Sequence, residues 1–301
     1  MKALIVDNVN NAAIEVLQNA GVETVVLPPQ SEDELCRIIG DFDAILLRNL
    51  TYITGKVIAA AKNLKIIGRV GAGLDNIDLK AAENASINVI NSPDGNTIAT
   101  AEHTIAMMLA LSRHIPAACD SVFMGKWERS RFMGNDLYGK TIGIIGFGRI
   151  GKRVAELASA FGMNVIVYSR SKTDLYPYFD KLEEFLPRCD YVSLHLPKTP
   201  DTVGIINSKT ISIMKQGVKI INCSRGGLAV ENDLVEGIKK GIISGVATDV
   251  FEQEPDISNS PLLKYPDYVV AVPHLGASTI ETQTKVAIEI ATQVCEFLSI
   301  N

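Results

Sequence analysis

Nothing in this sequence offers a metal centre or a disulfide framework. Its five cysteines (Cys36, Cys119, Cys189, Cys223 and Cys295) are scattered without a CxxC pair, and its four histidines make no cluster with them. Zinc ribbons and stapled secreted folds are excluded on spacing. Long hydrophobic runs are also missing. No apolar stretch approaches the roughly 18 residues of a membrane span, and the run Ala3–Val6, ended by Asp7, is too short for a signal-peptide core. There is no Lys/Arg run, and 29 basic against 34 acidic residues leave a net charge of −5. That balance gives no electrostatic footprint for duplex nucleic acid or an anionic membrane, so neither is expected as a partner. Solenoid repeats and low-complexity tracts are absent too. A reduced, cytoplasmic setting is the expectation.

What remains is an ordinary globular composition, 301 residues with 47% apolar, long enough for about two domains. Short β-branched runs alternate with helical patterns, the signature of βαβ units. Candidate strands are Ala3–Asp7, Thr24–Leu27, Ala44–Arg48, Lys65–Arg69, Asn88–Asn91, Thr141–Ile145, Asn164–Tyr168, Tyr191–Leu194, Lys219–Asn222, Gly245–Asp249 and Tyr268–Val272. Most are apolar on both faces, which fits parallel sheets covered by helices on each side. Eleven strands exceed a comfortable open sheet, and a helical segment from about Thr97 to Cys119 interrupts them. The expected fold class is therefore α/β, with two doubly wound Rossmann or flavodoxin-like domains, mostly parallel sheets and a hinge near Pro93–Thr97. A last helix is expected over Ser278–Leu298, opened by Ser278 and Glu281 at capping-box spacing.

Residues Thr141 to Gly151 read TIGIIGFGRIG: a strand, then Gly146, Gly148 and Gly151 in GxGxxG spacing, then a helix. The first glycine permits a tight turn, the second close approach of a pyrophosphate, and the third helix–strand packing. The next strand ends in Tyr168-Ser169-Arg170-Ser171-Lys172, where a carboxylate for the adenosine ribose is expected and none occurs. Arg170 and Lys172 would attract a 2′-phosphate, which leans the cofactor, NAD or NADP, towards NADP. A solvated basic loop beside an NAD site, with Arg170 stacked on adenine, stays open as the alternative.

Three segments at strand carboxyl ends carry polar residues: Asn222–Gly227, Asp249–Pro255 and Pro273–Ser278. Hydride transfer to or from a 2-hydroxy acid needs a cation for the carboxylate and a group that exchanges the hydroxyl proton. Arg225 and His274 meet those needs, and Glu254 beside His274 would hold the imidazole tautomer and raise its pKa. Taken singly, each has a bland reading, as a surface ion pair, a core histidine or a solvated turn residue. His103 and His114 read as structural or interfacial, and His195 as a strand-end residue near the cofactor. Cys223 has no sequence-local base to make it a nucleophile.

The fingerprint, the Asn-x-x-Arg-Gly-Gly segment, the Asp-Val-Phe…Glu-Pro segment and the Pro-His-Leu-Gly segment together resemble the D-isomer-specific 2-hydroxyacid dehydrogenase family, over nearly the whole chain. The resemblance implies Arg225, Glu254 and His274 as the catalytic residues. It implies cofactor contacts at Ala72, Arg149, Ile150, Leu196, Cys223, Ser224, Asp249 near the nicotinamide, His274 and Gly276. It implies a substrate-binding domain of residues 1–96 and 278–301, an inserted NAD(P)-binding domain of residues 97–277, and a homodimer built through the cofactor domains. Ser169 departs from the acidic residue of NAD-using members.

Within the family, the segments Gly68–Asn76, Gly125–Arg129, Phe132–Gly134 and His274–Thr279 resemble members that oxidise a phosphorylated three-carbon 2-hydroxy acid to its 2-keto acid, the first step of serine synthesis. That likeness assigns substrate binding to Arg48, Arg69 and Arg129, the last reaching across the dimer with help from Arg131. It seats the substrate carboxylate on backbone amides around Val70 and Gly71. Strand-end arginines paired with carboxylates, and a solvated charged face over Lys126–Arg131, are the plainer readings. The sequence ends directly after the last helix, so neither the regulatory domain of many such enzymes nor inhibition by serine is expected. An NADPH-dependent glyoxylate or hydroxypyruvate reductase is the enzymatic alternative, and a cofactor-sensing corepressor-type scaffold a third reading.

Overall fold

The computed structural model describes residues 1–300. Contacts divide the chain into two compact units, Met1–Asn96 with the stretch from Ala277 onward, and Thr97–Gly276. The first unit runs β1 (Lys2–Ile5), α1 (Asn11–Asn19), β2 (Glu23–Val26), α2 (Glu32–Ile38), β3 (Ala44–Leu47), α3 (Gly55–Ala60), β4 (Ile66–Arg69), α4 (Leu79–Asn84) and β5 (Asn88–Asn91). Its helices start where a short polar side chain takes the first free amides. Asn10 accepts from Ala12, Ser31 and Glu34 form a capping box, and Thr54 and Asp78 cap α3 and α4. All strand pairs are parallel, in the order β2-β1-β3-β4-β5. That is the flavodoxin-like order, and its direction reverses between β1 and β3.

The second unit contains α5 (Thr97–Ser112), α6 (Ile115–Phe123), β6 (Thr141–Ile145), α7 (Arg149–Ala160), β7 (Asn164–Tyr168), β8 (Tyr178–Phe179), α8 (Leu182–Phe185), β9 (Tyr191–Leu194), α9 (Ser208–Ile211), β10 (Val218–Asn222), α10 (Glu231–Lys239), β11 (Ile243–Thr248) and β12 (Val269–Ala271). Its parallel sheet has the order β12-β11-β10-β9-β6-β7-β8, the dinucleotide-fold order, reversing between β6 and β9. The chain then returns through α11 (Ile280–Ile300) to the first unit.

The fold class read from the sequence is the one observed, with three corrections. Expected as one segment, Thr97–Cys119 is two helices, because Pro116 lacks an N–H and would press on the Ser112 carbonyl four residues back. The chain breaks at His114 (φ 53°), and the Ser112 carbonyl accepts from Asn135 N instead. A twelfth strand, β8, is only two residues long and too short to leave a periodicity. The last helix begins two residues later than expected, since the Thr282 amide donates to the hydroxyl oxygen of Thr279, not Ser278, at 3.2 Å.

Each sheet is buried on both faces. In the first unit Leu4, Ile45 and Ile67 point to one side, towards Leu35, Ile39 and Val57. Ile5, Leu46 and Ile66 point to the other, towards Leu17 of α1 and Ile290 and Val294 of α11. α11 comes close because position 68 is glycine: a Cβ there would lie 2.8 Å from Ile290 Cγ2. In the second unit Ile144, Val165 and Ile221 face Met108 of α5 and Val154 of α7, while Ile145, Val192 and Ile220 face Phe185 and Leu234. Ile290 is fully buried, so Ile290→Ala is expected to cost about 2–5 kcal/mol. Urea unfolding followed by circular dichroism tests this; a loss within experimental error would mean that α11 does not close this core.

Candidate active site

At the carboxyl end of β6 the three fingerprint glycines meet different demands. Gly146 (φ 95°) turns the chain beneath His195, whose carbonyl oxygen would lie 2.4 Å from a Cβ. Gly151 packs the helix onto the turn, with the Gly146 carbonyl 2.1 Å from a would-be Cβ. Gly148 has open space around it, and it precedes α7 without any side-chain cap. A helix amino terminus with uncapped amides beside an open glycine suits a pyrophosphate, so these residues fit a dinucleotide. Arg149 and Ile150 form the first turn of that helix. At the end of β7 the Ser169 hydroxyl donates to Ser171 O and Tyr178 OH donates to Ser169 O, while Arg170 and Lys172 are exposed. Leu196 O accepts the Ser224 hydroxyl at 2.6 Å. Burial pushes the His195 imidazole down to about 3, so it stays neutral, hydrogen-bonded to Ser193.

Asp249 gathers the three polar segments that carry Arg225, Glu254 and His274. It is 1% exposed and follows β11. Its amide donates to Asn222 O, and its carbonyl accepts the His274 amide, each at 2.9 Å. Its Oδ1 and Oδ2 accept the amides of Leu275 (2.6 Å) and Gly276 (2.8 Å). These bonds hold His274 in a left-handed conformation (φ 55°) that a non-glycine residue keeps only when its surroundings over-determine it. His274 Nδ1 then lies 2.8 Å from Glu254 Oε2, while Glu254 Oε1 accepts the Phe251 amide at 2.8 Å. Burial opposes ionisation of Glu254, but the hydrogen bonds from His274 and Phe251 prevail and hold its carboxyl below the usual range. An ionised Glu254 accepts the Nδ1 proton and so leaves Nε2 as the nitrogen for chemistry.

Arg225 follows β10. Asn222 holds the turn by donating from Nδ2 to Arg225 O and accepting the Ser224 amide on Oδ1, and Arg225 Nη1 donates to Ser224 O. A Cβ at Gly226 would sit 1.6 Å from Phe251 O, so the Arg225 and Glu254 loops touch backbone to backbone. Cys223 is buried there, and burial together with Asp249 pushes its thiol up to about 12, which makes it inert.

Further residues that the sequence did not mark for this site lie beside it. His103, read as structural or interfacial, has its Nε2 3.4 Å from Asp249 Oδ1. Thr100 donates to Gly276 O, and Thr104 faces Cys223. Polar residues at 100, 103 and 104, one helical turn apart on a largely apolar helix, were the available signal. Glu231 and Glu252 exchange side-chain-to-amide bonds of 2.8 Å each way, and Ser260 donates to Glu231 Oε2, which anchors the loop bearing Glu254. No spacing in the sequence marks that exchange.

The proposed substrate residues are distributed between the units. In the first, Arg48 is half-buried just past β3; burial pushes its guanidinium pKa down, and the Asp7 charge opposes this. Arg69 ends β4, donates from Nη1 to Val70 O at 3.1 Å, and lies over Gly71, where a Cβ would be 1.6 Å from Nη1. The carboxylate seat expected around Val70 and Gly71 falls in the turn that leaves β4. Val70 N donates to Leu47 O and Gly71 N to Arg69 O, each at 2.8 Å. Ala72 O accepts Asn91 Nδ2. In the second unit Arg129 is exposed in a short 3-10 turn, and Arg131 is engaged by Asp267 and Glu128 rather than held ready for an anion. Among the described residues no group of three or more metal-ligating side chains converges, and no helix is long and apolar enough to cross a membrane.

A dinucleotide cradle on a doubly wound sheet, with an imidazole–carboxylate pair and an arginine at neighbouring strand ends, defines a nicotinamide-dependent oxidoreductase class. Residues 105–276 match the family described as "D-isomer specific 2-hydroxyacid dehydrogenase, NAD binding domain", and the chain belongs to that family. It is 44% identical to the D-3-phosphoglycerate dehydrogenase of Synechocystis sp. over 99% of its own length and 54% of that protein's. The chain spans about half the length of the curated relatives it matches. Among solved structures it resembles the TT0316 protein from Thermus thermophilus (TM-score 0.93, 32% identity, 99% of this chain and 97% of that one). It also resembles a glyoxylate reductase from Paecilomyes thermophila (TM-score 0.87, 32% identity, 97% and 94%).

Since Gly226 is where the two catalytic loops meet, Gly226→Ala is expected to push Arg225 away from its seat. The loss in kcat/KM should be about a hundredfold, read by nicotinamide absorbance, with the far-UV circular dichroism unchanged. Full activity in a folded variant would mean that the contact does not set the site.

Proposed function

We propose that this chain is an NAD(P)-dependent D-2-hydroxyacid dehydrogenase that interconverts D-3-phosphoglycerate and 3-phosphohydroxypyruvate, the first step of serine synthesis. The observation that carries the chemistry is the 2.8 Å bond from His274 to an ionised Glu254, on a loop in backbone contact with that of Arg225. The phosphorylated substrate follows from the curated relatives of that name, 44% and 45% identical. The first unit would be the substrate-binding domain and the second the cofactor-binding domain.

A nicotinamide dinucleotide held at Gly146, Gly148 and the start of α7 would supply the hydride in reduction and take it up in oxidation. Arg225 pairs with the substrate carboxylate and polarises the C2 oxygen. His274 Nε2 gives the proton to that oxygen in reduction and accepts it in oxidation, while Glu254 keeps the ring oriented and stabilises its charged form. The resemblance that assigns substrate binding to Arg48, Arg69, Val70, Gly71 and Arg129 makes the three arginines the proposed phosphate ligands, Arg129 acting from a second copy. A homodimer through the cofactor domains is supported by the exposed Phe123, Met124, Trp127, Met133 and Tyr138, and by an apolar groove lined in part by Ile115, Ala118 and Val122. Arg170 and Lys172, exposed beside Ser169, favour NADP. That loop also supports a second reading, an NADPH-dependent glyoxylate or hydroxypyruvate reductase, as does the likeness to the glyoxylate reductase.

The test is kcat/KM for phosphohydroxypyruvate and hydroxypyruvate, each with NADH and NADPH. A preference of about tenfold or more for the phosphorylated acid, with NADPH ahead of NADH, is expected. Preference for the unphosphorylated acid would select the reductase reading. In the same assay His274→Ala should lower kcat by roughly 10²–10⁴-fold while cofactor affinity is retained; undiminished turnover would remove His274 from the mechanism.

A further inference from the structure

The chain leaves β1 through two consecutive left-handed residues, neither of them glycine: Asp7 at φ 64° and Asn8 at φ 52°. Short polar side chains enter that region singly, and a pair persists only where the surroundings hold it. What is held is a buried carboxylate, 2% exposed. Asp7 Oδ2 accepts three backbone amides, from Arg48 at 3.0 Å, Leu50 at 3.1 Å and Thr51 at 2.9 Å, and Oδ1 accepts the Thr51 hydroxyl at 2.5 Å. The carbonyls of the same loop are taken from the other side. Asn76 Nδ2 donates to Arg48 O at 2.9 Å and to Thr51 O at 2.6 Å. The main chain of Arg48 is thus gripped at both its N–H and its C=O.

Three amides converging on one oxygen make a seat of the kind that binds a free anion, and here the protein fills it with its own carboxylate. An incoming anion therefore meets the Arg48 side chain and not the amides of its loop. The location points the same way. β1 and β3 are the neighbours where the order of the first sheet reverses, and ligands of such sheets bind outside the carboxyl ends of the strands at that reversal.

We infer that Asp7 and Asn76 are positioning residues that aim Arg48 at the anionic end of the substrate, so that the preference for a phosphorylated over an unphosphorylated acid depends on this grip. The inference rests on the reading of Arg48 as a phosphate ligand. A loop already rigid in its working geometry spends less binding energy on ordering the guanidinium, which is felt only by a substrate that reaches it.

Steady-state kinetics of Asp7→Asn, Asn76→Ser, Arg48→Gln and the Asp7→Asn/Arg48→Gln double variant, with phosphohydroxypyruvate and hydroxypyruvate, test it. Asp7→Asn and Asn76→Ser should each raise KM for the phosphorylated acid by about tenfold. The kcat and the KM for hydroxypyruvate and for the cofactor should stay within about twofold. In the Arg48→Gln background, Asp7→Asn should add nothing further. A rise in KM for Arg48→Gln but for neither positioning variant overturns the inference and leaves the phosphate reading standing. So do losses equal for both acids, or fully additive effects in the double variant. An unchanged KM in Arg48→Gln refutes the phosphate reading and the inference with it. Should Asp7→Asn fail to fold, Asn76→Ser and Thr51→Val, which removes one of the Asp7 bonds, carry the same comparison.

Discussion

One buried carboxylate organises the catalytic end of the second unit. Asp249 touches the Arg225 turn through Asn222 O, leads by main chain into the loop that carries Glu254, and binds the His274–Gly276 turn through three bonds. A buried charge costs several kcal/mol unless hydrogen bonds repay it, and here the repayment comes from amides that would otherwise lack acceptors. The same bonds fix the backbone angle of His274. Three segments are therefore joined through a single residue, by its main chain as well as its side chain, and a shift in any one is resisted by the others.

The two units use the same anion chemistry in opposite ways. After β6 the chain turns on glycine, enters a helix with no cap and leaves amides open, as a dinucleotide phosphate requires. After β3 the loop amides are closed off by Asp7, which leaves a guanidinium as the contact for an anion. Open amides suit a cofactor whose phosphates are always present in the same place. A side-chain cation suits a group on which substrates differ, because a guanidinium discriminates by charge and reach.

Much of the fold was legible because its signals are local. Continuous apolar runs such as Ala44–Leu47 and Tyr191–Leu194 report burial on both faces, and GxGxxG after a strand reports a turn that only glycine can make. Where the reading slipped, the signal was short or ambiguous: two residues of β8, a proline inside an apolar helix pattern, and two neighbouring hydroxyls competing to cap α11. Arg225, Glu254 and His274 could be named from their segments, whereas the exchange between Glu231 and Glu252 could not, since a backbone amide carries no mark of what it binds.

The sequence by itself determined which residues lie at strand carboxyl ends, because strand and turn follow from periodicity and from glycine and proline within a few neighbours. Tertiary structure alone decided who meets whom. Glu254 finds His274 twenty residues on, Asp7 finds Arg48 forty-one residues on, and His103 on α5 finds Asp249 at the end of β11. Such pairs depend on the order in which parallel strands lie side by side, and that order is set by how long crossovers pack their helices, not by any residue near the contact.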